Sequence, residues 1–386
     1  MSRSLIDMPR HFVDREIAPN ADRWDAQGRI DESLVSAMAD AGILGVLVPE
    51  AYGGSGIDAL RLMTLAREIG RGCSSARSLL TVHTMVSHGI ARWGSADVKA
   101  ALLPKLATGE SIGALALSEP AAGSDVSAIE CTARPDGDGH RITGQKRWIT
   151  FGQRADLFLL FAKTPVGATA FAVPARTKGL TVSPMAPMMG TRASMVAALR
   201  FDDCRVGAET MVGRQGFGLA AVAATALELG RFTVACGSLG ILDAVLAGAL
   251  DHARSRRTFG HRLIDHQLVA SKIARMGTDG AAAAELCERA ARLRDAHHQD
   301  AVKATWMAKY FASTAAFRAA CDLVQITAAR GCEDGASPQR LMRDAKVMEI
   351  IEGSTQIQEI TIAGILDGER ADAEPPVQSI TTGALA

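Results

Sequence analysis

Residues Arg343-Asp344-Ala345-Lys346-Val347-Met348-Glu349-Ile350-Ile351-Glu352-Gly353-Ser354-Thr355-Gln356-Ile357-Gln358 join one helical run to another across Gly353. Gly353 is a stop signal, and Thr355 to Gln358 fits a capping box opening a helix that carries Ile357, Ile360 and Ile365. Glu352 therefore falls at a break between two helices. A carboxylate at a helix C-terminus faces the negative end of the macrodipole, which costs about 0.3–1 kcal/mol where exposed. Stability alone does not favour it there, whereas a general base gains from a raised pKa. Taken singly, the residue also reads as an ordinary solvated helix-end glutamate.

Three other segments combine unusual residue types. In Leu115-Ala116-Leu117-Ser118-Glu119-Pro120-Ala121-Ala122-Gly123-Ser124-Asp125, Pro120 and Gly123 shape a tight loop. Its free N–H groups and the hydroxyls of Ser118 and Ser124 suit anionic oxygens, although an ordinary strand-to-turn transition has the same form. Gln145-Lys146-Arg147-Trp148-Ile149-Thr150 sets a Trp in a strand, where it usually joins a core. Arg256-Arg257-Thr258-Phe259-Gly260-His261-Arg262-Leu263, with His266-Gln267, reads alone as a solvated basic helix end.

The elements that must position these segments change character twice. Leu34, Val35, Met38 and Ala41 recur at helical spacing behind Asp31, and Gly42 ends the run. Gly45-Val46-Leu47-Val48-Pro49 has the look of a short strand before the turn-rich Tyr52-Gly53-Gly54-Ser55-Gly56. Helical periodicity returns from Ala59 to about Gly109. Short apolar runs at 114–118, 157–162, 169–173 and 196–201, with Asp136-Gly137-Asp138-Gly139 as a hairpin loop, predict a β-rich middle unit. Long helices are expected at 219–255, 265–294 and 301–330, and a further one at about 338–351. The α+β reading divides the chain into an all-α unit at 1–112, a β unit at 113–214, a helical unit at 215–370 and a disordered tail at 371–386, where Pro375-Pro376 stand among small polar residues.

Lys plus Arg number 42, as do Asp plus Glu, so no global field favours nucleic acid or an anionic membrane. Seven cysteines, at 73, 131, 204, 236, 287, 321 and 332, include no C-x-x-C pair and suggest reduced thiols rather than zinc or a redox motif. The N-terminus lacks the apolar core of a signal peptide, and no run reaches the ~18 uninterrupted apolar residues of a membrane span. A cytoplasmic location is expected.

Taken in order, these segments resemble the motifs of the acyl-CoA dehydrogenase family. Arg343 to Lys346 followed by Glu352 to Gln358 is similar to its catalytic signature, Ser118 to Asp125 and Lys146 to Thr150 to its flavin-binding segments, and Arg256 to Gln267 to its Arg-x-x-Phe-Gly segment ending in Gln. Val48 to Gly54 and Leu103 to Glu110 match more weakly, and the likeness covers roughly residues 5–366. It implies a middle β-barrel between an N-terminal helical domain and a C-terminal four-helix bundle. FAD is the implied cofactor, in a homodimer or homotetramer. Glu352 would remove a substrate proton, Gly353 would admit the thioester, and Ser354, Thr355 and Gln356 would lie against FAD. Leu117, Ser118, Gly123, Ser124, Trp148, Ile149 and Thr150 would hold the flavin, with Ser124 also touching substrate. Arg256, Thr258, Phe259, His266, Gln267 and Gln325 would bind FAD, Arg256 through charge-assisted bonds to the diphosphate from a neighbouring subunit and Gln325 beside the adenine half from the other subunit.

Two departures matter. Ala328 and Ala329 stand where the family usually has a Gly-Gly pair, so an altered rather than a lost FAD contact is expected. Some relatives carry their base just before an Arg resembling Arg231, but here that position is Gly230, which leaves the role to Glu352. Arg231 is a candidate for the pantetheine or a polar acyl group. Cys73 to Ser78 and Met348 to Ser354 look most like a subgroup making hydroxymalonyl or aminomalonyl units on acyl carrier protein for polyketides. The expected reaction is oxidation of 2-hydroxy-3-oxopropionyl-acyl carrier protein to 2-hydroxymalonyl-acyl carrier protein. Alternatives are a short- or branched-chain acyl-CoA dehydrogenase feeding an electron-transfer flavoprotein, an oxidase, and a non-catalytic thioester-binding scaffold, which would be colourless.

Overall fold

In the computed structural model, which describes residues 9–186 and 188–373, helices precede and follow a sheet along the chain. The first helices are α1 (Ala21–Gln27), α2 (Glu32–Asp40), α3 (Ala59–Gly72), α4 (Ser74–Trp93) and α5 (Ala96–Thr108). Asp58 caps α3 by accepting from Arg61 N at 2.8 Å, and Ser95 caps α5 by accepting from Val98 N at 3.2 Å. Asp31 precedes α2 as expected, yet its carboxylate turns to Arg23 instead of the helix N–H groups.

The expected strand at 45–49 is a series of turns. Gly45 N bonds to Gly42 O and Val48 N to Gly45 O, while Val46 and Val48 are fully buried. The following glycines fold back onto it: a Cβ on Gly54 would lie 2.0 Å from Val48 O. A short buried apolar run has the same periodicity in a strand and in packed turns, so the pattern could not separate them.

Among the described residues, eight strands form one mixed sheet: β1 (Gly113–Ala116), β2 (Thr132–Asp136), β3 (Gly139–Ile149), β4 (Leu157–Thr164), β5 (Gly167–Pro174), β6 (Leu180–Pro184), β7 (Ala197–Val206) and β8 (Met211–Val212). Their pairing order is β6-β7-β3-β2-β4-β5-β8, with β1 parallel to β4. The β2–β3 hairpin turns at Gly137, whose φ of +62° suits glycine. The register of β3 on β7 shifts between Lys146 and Ile149, where Trp148 takes φ +59°. Such a bulge re-aims side chains near the end of a strand.

The C-terminal helices are α6 (Ala224–Ser255), α7 (Gln267–Asp295), α8 (Ala301–Thr327), α9 (Ser337–Met348) and α10 (Thr355–Ala373). A two-strand hairpin, β9 (Arg257–Thr258) and β10 (His261–Arg262), links α6 to α7. By length and composition the run 218–255 could cross a bilayer, but 67% of its most apolar window is buried inside the protein. It is the central helix of the bundle, packed on α3, α4, α7 and α8. Helix α10 extends to Ala373, past the expected start of the tail at 371; the rest of that tail lies outside the described residues.

Candidate active site

Glu352 and Gly353 form a left-handed step between α9 and α10, with φ of +56° and +90°. For a residue with a Cβ this conformation costs about 1–2 kcal/mol, so the fold must hold it. Arg231 Nε donates to the Glu352 carbonyl at 3.2 Å, and Lys309 Nζ donates to the Gly353 carbonyl at 2.6 Å. Gln358 Nε2 donates to both, at 3.1 and 3.0 Å. The cap differs from the expected box. Helix α10 starts at Thr355, so Ser354 is the cap and accepts from Ile357 N at 3.4 Å. Gln358 is then one position too late for a reciprocal cap, and its amide serves the carbonyls released by the left-handed turn. Thr355 donates back to Glu349 O, while Gln356 is exposed.

The Glu352 side chain enters a buried space lined by α6. Its Oε2 is shielded from solvent and has no hydrogen-bond partner. Burial pushes the carboxyl up to about 7, against the pull of Arg231, Lys309 and Arg77. A Cβ on Gly230 would meet Oε2 at 2.4 Å, so absence of a side chain at 230 is what gives the carboxylate room. Arg231 is brought to the site with its guanidinium 4.0 Å from the Trp306 ring centroid.

The run before Glu352 anchors α9 to both other units. Arg343 Nη2 lies 2.5 Å from Asp25 Oδ2 in α1, and Arg343 Nη1 donates to Met189 O. Asp344 Oδ1 accepts from Thr191 N at 2.6 Å, and burial pushes this carboxyl up to about 6. Gly190 is pressed so close to Arg343 O that a Cβ would stand 2.2 Å away. These bonds fix the helix whose end presents the carboxylate.

A second group gathers at the sheet. Arg147 N donates to Ser118 O at 2.9 Å, which sets the Leu117–Ser118 loop beside Trp148, Ile149 and Thr150. Lys146, with no exposure, donates to Leu117 O at 2.9 Å and to Glu119 Oε1 at 2.6 Å. Glu119 in turn accepts from the Glu130 and Cys131 amides. Leu117 and Ile149 are core residues. Trp148 is 44% exposed and Gly123 and Ser124 are exposed. Among the described residues the hydroxyls of Ser118, Ser124 and Thr150 and the Trp148 indole N–H make no side-chain hydrogen bond.

A third group stands apart. Arg256, Thr258, Phe259, His266 and Gln267 cluster around the β9–β10 hairpin, where Thr258 Oγ1 lies 3.1 Å from His266 Nε2 and Phe259 is 94% exposed. Gln325, Ala328 and Ala329 are exposed at the end of α8. Ala328 holds φ +53°, ψ −139°, a backbone state that glycine adopts more cheaply, so the glycine-like geometry survives the added methyl. Among the described residues no hydrogen bond or ion pair joins this group to Trp148 or Glu352.

Several residues at the site were given no role by sequence reasoning. Lys309 is a lone cation on the Ala-rich buried face of α8, and burial lowers its ammonium to about 8. Arg77 is a charged residue 1% exposed within the apolar α4. A cation interrupting an apolar helical stripe was the available signal for both. Lys146 and Glu119 stood inside quoted motifs, but their pairing depends on β3 lying beside the loop.

Comparison with known proteins identifies the class. The acyl-CoA dehydrogenase N-terminal, middle and C-terminal domain profiles match residues 2–110, 114–204 and 216–366. The chain belongs to the acyl-CoA dehydrogenase family, whose members are FAD-dependent oxidoreductases. It is 36% identical to the mitochondrial short-chain specific acyl-CoA dehydrogenase of Sus scrofa, over 92% of this chain and 88% of that protein. Among solved structures, butyryl-CoA dehydrogenase from Megasphaera elsdenii superposes with a TM-score of 0.90 at 31% identity, covering 94% of this chain and 97% of the other. FkbI, described as serving biosynthesis of the methoxymalonyl extender unit of the Fk520 polyketide, has a TM-score of 0.86 at 34% identity, covering 96% and 99%. The uncommitted donors at Ser118, Ser124, Thr150 and the 44% exposed Trp148 fit the flavin that the family carries.

Proposed function

We propose that Glu352 is the base of a thioester-oxidising flavoenzyme whose substrate is a small acyl group bearing oxygen. The observation that carries this reading is the Glu352 carboxylate itself: Oε2 is shielded from solvent and unpartnered, burial raises the carboxyl to about 7, and a strained turn fixes it. A base of this kind is ionised in part at neutral pH and bears little hydration that must be removed before it accepts a proton. Ser118, Ser124, Trp148 and Thr150 would hold FAD, which supplies a two-electron acceptor for hydride. Arg231 and Lys309 hold the turn by its carbonyls, leaving both carboxylate oxygens to the substrate.

For the finer reading, the substrate is 2-hydroxy-3-oxopropionyl-acyl carrier protein and the product is 2-hydroxymalonyl-acyl carrier protein. From the hydrated aldehyde, the C3–H leaves as hydride, an O–H proton passes to Glu352, and the C3–O bond becomes the C=O of the new carboxylic acid. Similarity to FkbI supports this choice. Similarity to short-chain acyl-CoA dehydrogenases favours a second reading, α,β-desaturation of a short acyl-CoA with an electron-transfer flavoprotein as acceptor. Both need one proton and one hydride taken from adjacent atoms.

The test is anaerobic titration of the yellow protein with acyl-CoA and acyl-carrier-protein thioesters while flavin absorbance is followed. Bleaching by the hydroxy-oxo-propionyl carrier thioester and not by butyryl-CoA supports the first reading; the reverse supports the second. Glu352→Gln should keep its colour and lose at least ~100-fold in reduction rate, the usual range for a lost general base. Unchanged bleaching would remove Glu352 from the role.

A further inference from the structure

One region of the surface carries aromatic and cationic side chains that neither the core nor the proposed chemistry uses. Arg92 and Trp93 end α4, and Trp93 Nε1 donates to Thr225 Oγ1 at the start of α6 at 2.9 Å. A Cβ on Gly213 would lie 3.7 Å from Trp93 Cβ, and one on Gly216 would lie 2.7 Å from Val166 O in the β4–β5 turn. The loop 213–217 therefore adjoins both the end of α4 and that turn, and Trp93, Val166 and Phe217 are exposed around it. The Arg92 guanidinium lies 5.7 Å from the Trp93 ring centroid, and that of Arg214 lies 5.5 Å from the Phe217 centroid.

Both arginines are exposed, and among the described residues neither makes an ion pair. The acids nearest to them along the chain, Asp97 and Glu209, pair with neither. Glu228, one turn beyond Thr225, is taken by Arg294 and by the Thr305 hydroxyl. Single exposed apolar residues are ordinary, but aromatic rings grouped with uncompensated guanidinium groups are the composition of a protein-binding surface.

Its place on α6 decides what kind of partner fits. The loop 213–217 runs into a helical turn at Gly218–Ala223 and then into α6, whose Gly230 faces Glu352. From Phe217 to Gly230 the helical rise is about 18 Å, the order of length that an extended phosphopantetheine arm spans. Leu219 and Leu227 on this stretch share one apolar cluster with Leu117, Ala122 and Val126, so the start of α6 runs beside the loop that holds Ser118 and Ser124. The whole molecule offers an acidic partner no general attraction, since 42 basic residues balance 42 acidic ones. Two uncompensated arginines beside apolar anchors supply it locally, whereas a second copy laid on the same face would set arginine against arginine.

We propose that Trp93, Val166 and Phe217, with Arg92 and Arg214, form the docking surface for an acidic carrier protein that presents the thioester on phosphopantetheine. This rests on the carrier-borne substrate proposed above, and it deepens that reading by naming where the carrier sits. The surface is small, which suits a partner that must leave after each turnover.

The test is titration of the FAD-loaded protein with a fluorescently labelled holo-acyl carrier protein bearing no acyl group, followed by anisotropy, so that docking is read without turnover. The native protein should bind it, and less tightly as salt is raised. Arg92→Glu combined with Arg214→Glu should weaken binding about tenfold or more, and Phe217→Ser should do the same. These side chains lie outside the Glu352 and flavin groups, so flavin content, and flavin reduction by a thioester on free pantetheine, should be unchanged. No binding to the native protein, binding indifferent to both arginines and to Phe217, or an equal loss of the free-pantetheine reaction overturns the proposal. Loss of electron-transfer flavoprotein binding in these variants with carrier binding kept also overturns it and gives the face to that partner. Should the hydroxy-oxo-propionyl group fail to bleach the flavin while carrier binding still depends on Arg92 and Arg214, the acyl reading falls and the docking surface stands.

Discussion

Gly230 and Glu352 occupy one space: a Cβ on the glycine would stand 2.4 Å from Oε2 and 2.6 Å from Cδ of the glutamate. The contact is tighter than any relaxed pair of atoms allows, and Met85 closes the other side at 2.9 Å. Position 230 and position 352 therefore exclude each other as places for a side chain. Gly230→Ala would ordinarily stabilise a helix by about 1 kcal/mol. Here it should displace the carboxylate and slow flavin reduction at least ~100-fold, comparable with loss of the base. Stopped-flow reduction beside flavin content measures this.

Glu352 also sets the pH response. With its carboxyl at about 7, the reduction rate should climb as pH rises through 7 and level off above it. Stability moves the other way. The folded state binds the proton more tightly than the unfolded chain, so its advantage is full below the ordinary carboxylate range and is lost as pH rises through 7. Against the native protein, Glu352→Gln should gain roughly 2.5 kcal/mol between pH 5 and pH 8. Denaturant unfolding at the two pH values measures the gain.

Lys309 supports the turn through the Gly353 carbonyl. Lys309→Met keeps the length and loses the charged hydrogen bond, for which about 1.5–3 kcal/mol of stability should disappear. Loss of its pull on Glu352 should also move the pH midpoint of flavin reduction upward. A lower melting temperature with an unmoved midpoint would confine Lys309 to a structural part.

The buried Lys146–Glu119 pair ties the Ser118 loop to β3. Lys146→Met leaves Glu119 buried with its cation gone, a loss of about 3–5 kcal/mol. FAD should then dissociate more readily, because Ser118 and Trp148 no longer share a fixed edge. Gel filtration with absorbance of the retained flavin follows it.

The order of units, the strand and helix runs, and the break at Glu352 were legible because each depends on local signals: period, glycine stops and turn residues. The 45–49 segment was misread since burial in turns and burial in a strand leave one apolar pattern. The helix-end argument for Glu352 foresaw a raised carboxyl, but the dominant cause is burial against α6. Sequence could not show that burial, as Gly230 of α6 lies more than a hundred residues earlier in the chain.

By itself the sequence determined which residue types were available and the local breaks that present them, including a glutamate followed by glycine and a glycine at 230. Only tertiary structure decided that these two positions meet, that Arg231, Lys309 and Gln358 hold the Glu352–Gly353 turn, and that Arg77 is buried against Gly237 of α6. The physical reason is that charge and hydrogen-bond energies depend on distance and exclusion of water. Helix packing sets both, and spacing along the chain sets neither.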